Sequence, residues 1–188
     1  MQGTSHSFVF ADLSGYSALT ERIGDDAAAD LAIAFRDAVH QRARSNGGRV
    51  IKTLGDGVLV HTRSARGAVA IALRVIDELS GVNGFPDVHV GVDTGPAVRR
   101  AGDYYGATVN RASRIVDRAG AGEVLMSEAT CEALGAADDL RIDGRGVHPL
   151  RNIADPPQLF AVSRAVDVEA AARATLTVLV SDPSSVAA

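Results

Sequence analysis

Three short stretches of this 188-residue chain hold side chains whose types and spacing could do chemistry together. In FADLSGY, Asp12 ends an apolar run and a glycine-containing turn follows. A carboxylate there is a hard oxygen ligand suited to Mg²⁺ or Mn²⁺. The amides of Leu13, Ser14, Gly15 and Tyr16 can face an anion where a helix begins. The plain alternative is that Asp12 only caps that helix. In VIKTLGDGVLV, Asp56 lies between two glycines, and Asp-Gly is by itself a strong hairpin signal. If the hairpin tip lies beside the first strand, Asp56 comes near Asp12. Two carboxylates from neighbouring strand ends suit two divalent ions that activate an attacking oxygen and hold phosphate oxygens. Lys52 has the parity of Val50 and Leu54 in the same apolar run, and a snorkelling surface lysine is the simple account of it. In DYYGATVNRASRIVDRA, Asn110 and Arg114 share a helix face at i and i+4, and Thr108 is placed to cap the helix start. An amide beside a guanidinium suits sugar and phosphate oxygens. Asp103 is placed to accept a hydrogen bond from a base amino group. Taken singly, a solvated arginine and a turn aspartate explain these two.

No competing nucleophile constellation stands out. The DTG of residues 93–95 occurs once, without the second copy an aspartic protease needs, and no glycine-rich run precedes Lys-Ser/Thr as in a P-loop. His40, His61, His89 and His148 are scattered without metal-ligand spacing and read as structural or solvated. With 46% hydrophobic and 22% charged residues, the chain can bury a core as one domain. A net charge of −4 with scattered arginines disfavours a nucleic-acid partner. Cys131 alone rules out an internal disulfide and fits a reducing cytoplasm. No apolar run reaches membrane-spanning length, and the N-terminus lacks a secretion signal, so the expectation is a cytoplasmic protein without a membrane partner.

The elements that must position these residues follow from periodicity. A strand over 7–12 precedes helical spacing from Tyr16 to about Ser45, with Gly24 interrupting and Asp25 capping a second helix. RVIKTL and VLVHT are strands joined across GDG, and Ser64 caps the helix that follows. VHVGVDTG is a strand, PAVRRAGDYYG an extended hairpin, and ATVNRASRIVDRAG a helix ended by Gly120. GEVLMS, EATCEAL and the closing RIDGRGVHPL and PQLFAVS read as strand, short helix and β-rich segment. Beyond about Arg164, VEAAARA is helix-like, TLTVLV is β-prone, and the last residues read as unstructured. The alternation with hairpins predicts a mixed, partly antiparallel sheet with helices on its faces.

In order and spacing, FVFADLSGYSALTE, GGRVIKTLGDGVLVHT, VHVGVDTGPAV, DYYGATVNRASRI and AGEVLMSEAT resemble the catalytic domain of the class III nucleotide cyclases. The likeness to this adenylate and guanylate cyclase family covers about residues 7 to 134, with closing strands to about 163. It implies an α+β fold with a ferredoxin-like βαββαβ core and extra C-terminal strands over 1–163. Residues 164–188 are then a tail of unassigned role. It implies a head-to-tail homodimer with two sites between the protomers. Asp12 and Asp56, with the backbone carbonyl of Leu13, match the positions that hold two Mg²⁺ or Mn²⁺ ions. Lys52 and Asp103 match the pair that reads adenine, which favours ATP. Asn110 matches the residue that orients the ribose, and Arg114 the one that stabilises charge on the reacting phosphate. Ser14, Gly15 and Tyr16 complete the expected substrate-binding turn. In the family the aspartates come from one protomer, and Lys52, Asp103, Asn110 and Arg114 from the other. The implied reaction is attack of the ribose 3′-oxygen of ATP on the α-phosphate, giving 3′,5′-cyclic AMP and pyrophosphate. A guanylate cyclase, or a non-catalytic nucleotide-binding regulatory homologue, is the alternative. Two departures stand out: Leu13 replaces the commoner isoleucine, and Asn152 in LRNI stands where a glycine is more usual.

Overall fold

A computed structural model describes residues 5–79, 82 and 84–165. Beyond Ala165, the expected helix-like and β-prone tail segments lie outside the described residues. The first strand, β1 (Ser5–Leu13), leads through a turn to α1 (Tyr16–Ile23) and α2 (Asp25–Ser45). Next come the β2 (Arg49–Leu54) and β3 (Gly57–Thr62) hairpin, α3 (Ala65–Leu79) and β4 (Val88–Pro96). A small ribbon of β5 (Val98–Arg100) and β6 (Asp103–Tyr105) precedes α4 (Ala107–Val116). The chain continues with β7 (Val124–Ser127), α5 (Glu128–Leu134), β8 (Leu140–Val147) and β9 (Gln158–Arg164).

Seven strands form one sheet in the order β2-β3-β1-β4-β7-β9-β8. The first four, with α1–α2 and α3 as crossovers, are the expected ferredoxin-like βαββαβ core. The β4–β7 pairing is parallel, and β9 and β8 extend the sheet antiparallel to β7. Successive side chains of a strand face opposite ways, and β1 uses both faces. Val9, Ala11 and Leu13 join Phe35, Val39, Ile71 and Val75 in the core under α2 and α3. Phe8 and Phe10 face the other way, among Leu59, Tyr104, Val109 and Ala112 beneath α4 and β6. Asp12 shares the parity of Phe8 and Phe10, so it stands on the α4 face.

Local signals set several boundaries. Gly24, at φ +85°, separates α1 from α2. Ser64 Oγ accepts from the Gly67 amide at 3.0 Å and caps α3 as expected. Asp25 is not a cap: Gly24 holds that position, and Asp25 lies in the first turn, where its charge favours the helix N-terminus. Thr108 does not cap α4 either, because Gly106 precedes the helix and Thr108 Oγ1 donates to the Pro96 carbonyl at 2.8 Å. The helix itself ends at Val116, short of Gly120. Asn152 takes φ +61°, a left-handed conformation that asparagine tolerates almost as glycine does, so the departure at this turn keeps its geometry. No helix among the described residues is long and apolar enough to cross a membrane.

Candidate active site

On the α4 face, a cleft of about 390 Å³ runs between the β2–β3 hairpin and α4. Asp12, Lys52, Asp56, Asn110 and Arg114 all line it, with Phe10, Leu54 and Leu59 as its apolar floor. One cleft thus gathers five of the expected site residues.

The hairpin brings the two carboxylates together. Its loop is Gly55–Asp56, with Gly57 already the first residue of β3, so the turn's central pair is Gly-Asp rather than Asp-Gly. Gly55 takes φ +64° and Asp56 does not, the pattern of a II′ turn that suits twisted strands. Since β3 pairs with β1, Gly57 comes up against Asp12, and a Cβ on it would lie 3.1 Å from Asp12 Oδ1. Burial, and then the charge of Asp12, push the Asp56 carboxyl above its usual range, against a smaller opposing pull from His89. Two neighbouring carboxylates, neither paired with a lysine or arginine among the described residues, are poised to share a divalent ion. Among the described residues no three His, Cys, Asp or Glu side chains form a metal-holding group. A pair of carboxylates completed by backbone, water and substrate phosphate fits Mg²⁺, which is bound in that manner more often than by an all-protein cage.

The Asp12 carboxylate also has a neighbour that sequence reading passed over. His89 stands directly opposite Asp12 in the β1–β4 ladder, with Nε2 3.6 Å from Asp12 Oδ2. Its Nδ1 lies 3.2 Å from Ser14 Oγ. The alternation of VHVGV puts His89 on the face opposite Val88 and Val90, but only the ladder register shows what it meets there.

Lys52 is placed by an irregularity. A bulge between Val50 and Lys52 breaks the parity of β2, so Val50 pairs with Val60 while Lys52 pairs with Leu59. Cross-strand partners share a face, and Lys52 therefore joins Leu59 on the α4 side. Its Nζ lies 2.7 Å from Asp103 Oδ2, and the Tyr104 amide donates to Asp103 Oδ1 at 2.8 Å. Hydrogen bonding from Lys52, and then from the Tyr104 amide, holds the Asp103 carboxyl below its usual range. The snorkelling account of Lys52 gives way to a specific pair.

Helix α4 reaches the sheet because Gly91 leaves room for it. A Cβ on Gly91 would lie 2.4 Å from the Val116 amide nitrogen and 2.7 Å from the Ala112 carbonyl oxygen. Asn110 and Arg114 then face the cleft, and Arg114 Nη1 rests 3.5 Å from Asp117 Oδ2 in a half-exposed pair. Between them, Arg111 points to the sheet, its Nε 2.7 Å from Oδ2 of the fully buried Asp93. The angle there is not that of a hydrogen bond, whereas Asp93 Oδ1 accepts from Ser127 Oγ at 2.5 Å. The aspartate of DTG is thus an anchor for α4, a role that spacing alone did not disclose.

The glycine turn after β1 divides. Leu13 is buried in the core and Tyr16 packs against it, so neither side chain reaches the cleft. Ser14 and Gly15 line a separate cavity of about 450 Å³ with Arg22 and Phe85. The Ser14 amide donates to the Asp87 carbonyl at 2.7 Å, so this one of the four amides expected to face an anion is already engaged.

Residues 3–160 match the family described as the adenylate and guanylate cyclase catalytic domain. An adenylate cyclase of Streptomyces coelicolor is 37% identical over 125 residues, 66% of this chain and 33% of that protein. A pH-sensitive adenylate cyclase of Mycobacterium tuberculosis is 34% identical over 162 residues, 82% of this chain and 40% of that protein. The chain therefore spans well under half the length of these relatives. Among solved structures, a monomeric adenylate cyclase of Trypanosoma brucei superposes with a TM-score of 0.80 at 21% identity, covering 87% of this chain and 90% of that one, which is a likeness of fold. By the extent of the family match and the shared fold, the chain belongs to the adenylate and guanylate cyclase catalytic domain family.

Proposed function

We propose that this domain is an adenylate cyclase that converts ATP to 3′,5′-cyclic AMP and pyrophosphate in a site shared by two copies of the chain. The observation that carries the reading is the Lys52–Asp103 pair at 2.7 Å, whose lysine lines the cleft that also holds Asp12 and Asp56. Adenine presents an amino group at C6 and a bare ring nitrogen at N1. Asp103 accepts from the first and Lys52 donates to the second, whereas guanine reverses both polarities at these positions. Both side chains are partly solvated, so parting them to admit a base costs little.

Asp12, Asp56 and the Leu13 carbonyl are the groups that would hold two divalent cations, Mg²⁺ or Mn²⁺. Such ions lower the pKa of the 3′-hydroxyl and spread phosphate charge. Asn110 orients the ribose, and Arg114 leaves its loose contact with Asp117 to meet charge growing on the α-phosphate. The 3′-oxygen gives its proton to solvent and bonds to the α-phosphorus as the bond from that phosphorus to the oxygen bridging it to the β-phosphate breaks, and pyrophosphate leaves with that oxygen. No side chain forms a covalent intermediate, so the protein contributes position and electrostatics. In the head-to-tail arrangement, Asp12 and Asp56 of one copy work with Lys52, Asp103, Asn110 and Arg114 of the other. Leu54 in the cleft, and Val98 and Tyr105 on the ribbon that carries Asp103, leave large apolar side chains about half exposed and support closure by a second copy.

Incubation with ATP or GTP and Mn²⁺, followed by product identification, tests the reading. Cyclic AMP from ATP is expected. Preferential cyclic GMP formation would make the domain a guanylate cyclase, and no cyclic product from either would make it a nucleotide-binding homologue.

A further inference from the structure

We infer that His61, backed by His6, is a positioning residue for Asp103: the two imidazoles form the platform on which Tyr104 lies, and Tyr104 sets the base-reading carboxylate. The inference rests on the proposed adenine-reading role of Lys52 and Asp103.

The β5–β6 ribbon has three residues in each strand, and Ala101 and Gly102 at its tip both take positive φ. So short a two-stranded ribbon has no stable orientation of its own, so what it packs against must supply one. That support is the Tyr104 ring, which is 6% exposed. It stacks on His61 with centroids 4.2 Å apart and planes 20° from parallel. Phe8 and His6 meet it edge-on, each at 5.3 Å, and the Arg99 guanidinium lies 6.0 Å from its centroid. His61 in turn is fixed from β1, because His6 Nδ1 and His61 Nε2 share a hydrogen bond at 2.8 Å. The backbone of Tyr104 then passes this geometry to the site. Its own amide holds Asp103 Oδ1, which leaves Oδ2 aimed at Lys52. A tilt of the Tyr104 ring therefore moves the carboxylate that meets the base.

The platform needs uncharged rings, and its surroundings keep them so. Burial and the neighbouring His6, Arg49, Arg63 and Arg99 bring His61 down to about 4, and burial with Arg63 lowers His6 as well. Cations face the pair from β2, from β5 and from the residue after β3. A proton on either ring would add a positive charge beside the arginines that already face the pair, and a proton on both would leave the shared hydrogen bond without an acceptor.

The test uses the full chain and compares His61→Ala, His61→Phe and Lys52→Ala with ATP and GTP in Mn²⁺. For His61→Ala, KM for ATP should rise on the order of tenfold, and the preference for ATP over GTP should fall by a similar factor, with kcat nearly kept. His61→Phe restores a stacking face and should recover the ATP KM. If His61→Ala does not fold, His61→Leu fills the space without a ring and gives the same comparison. An unchanged ATP KM and base preference in a folded His61→Ala or His61→Leu, with Lys52→Ala impaired, would overturn the platform while base reading stands. If Lys52→Ala is also unimpaired, base reading itself fails and takes the inference with it. A His61→Phe variant as damaged as His61→Ala would overturn stacking as the means of positioning.

Discussion

Lys52 Nζ and Asp103 Oδ2 lie 2.7 Å apart although 51 residues separate them, and each belongs to a different hairpin over the α4 face. On the proposed reading the pair presents one donor and one acceptor to the base. Lys52→Glu sets a second carboxylate against Asp103. The kcat/KM for ATP should fall by roughly 10- to 100-fold, the worth of a charge-assisted hydrogen bond. Unchanged ATP kinetics would mean that Lys52 does not touch the base.

Asp56 sits at the hairpin tip beside Asp12, and on the proposed reading both carboxylates hold the cations. Asp56→Ala should lower turnover with Mg²⁺ or Mn²⁺ by about 10³-fold or more, as expected when a group that holds transition-state charge is lost. Mn²⁺ affinity, read by the electron paramagnetic resonance of free Mn²⁺, should fall in parallel. Retained turnover would sink the metal assignment.

A shared site predicts complementation. Neither Asp12→Ala nor Arg114→Ala alone should turn over, since each variant homodimer lacks a residue at both sites. Mixed in equal amounts, half the dimers are heterodimers with one intact site of two, so about a quarter of wild-type activity should return. If subunits exchange and no activity appears, all six residues work within one chain.

His61 ties stability to pH. Its folded pKa of about 4 lies below the ordinary 6.5, so the unfolded chain takes up the proton first as pH falls. Stability is therefore full above about 6.5 and declines toward pH 4, by up to roughly 3 kcal/mol from this group. Asp103, whose pKa is lowered, loses its contribution only below the ordinary carboxylate value of 3.8, outside that window. Asp56 and Asp93, both raised, take up protons first in the folded state and act in the opposite direction. The difference between wild type and His61→Phe in urea midpoints at pH 7 and pH 5 isolates the histidine. Parallel pH dependence in the two proteins would contradict it.

Arg111 over the buried Asp93 predicts an asymmetry. Burial raises the Asp93 carboxyl while Ser127 and Arg111 oppose that rise. Arg111→Ala leaves the carboxylate buried without its cation and should cost about 3 kcal/mol. Asp93→Asn keeps the shape and the Ser127 contact and should cost less. Urea denaturation of both variants measures the difference, and equal losses would rule out charge as the reason.

What the sequence by itself determined is what short-range physics decides. Gly24 parts two helices because a residue at φ +85° cannot continue one, and Ser64 caps α3 across three residues of chain. The glycines around Asp56 mark the hairpin, although the turn falls on Gly55–Asp56 rather than on the expected Asp-Gly pair, and the order of the motifs carries the family likeness. Tertiary structure decided what depends on register. One extra residue in β2 moves Lys52 to the face of Leu59, and simple alternation cannot foresee it because a bulge breaks the period of two. Thr108 turned from capping its helix to the Pro96 carbonyl, a partner that the fold alone provides. His89 meets Asp12, Arg111 meets Asp93, and His6, His61 and Tyr104 meet one another only once β3, β1 and β4 lie side by side. Those partners stand far apart along the chain, and neither composition nor periodicity encodes which strand will be the neighbour of which.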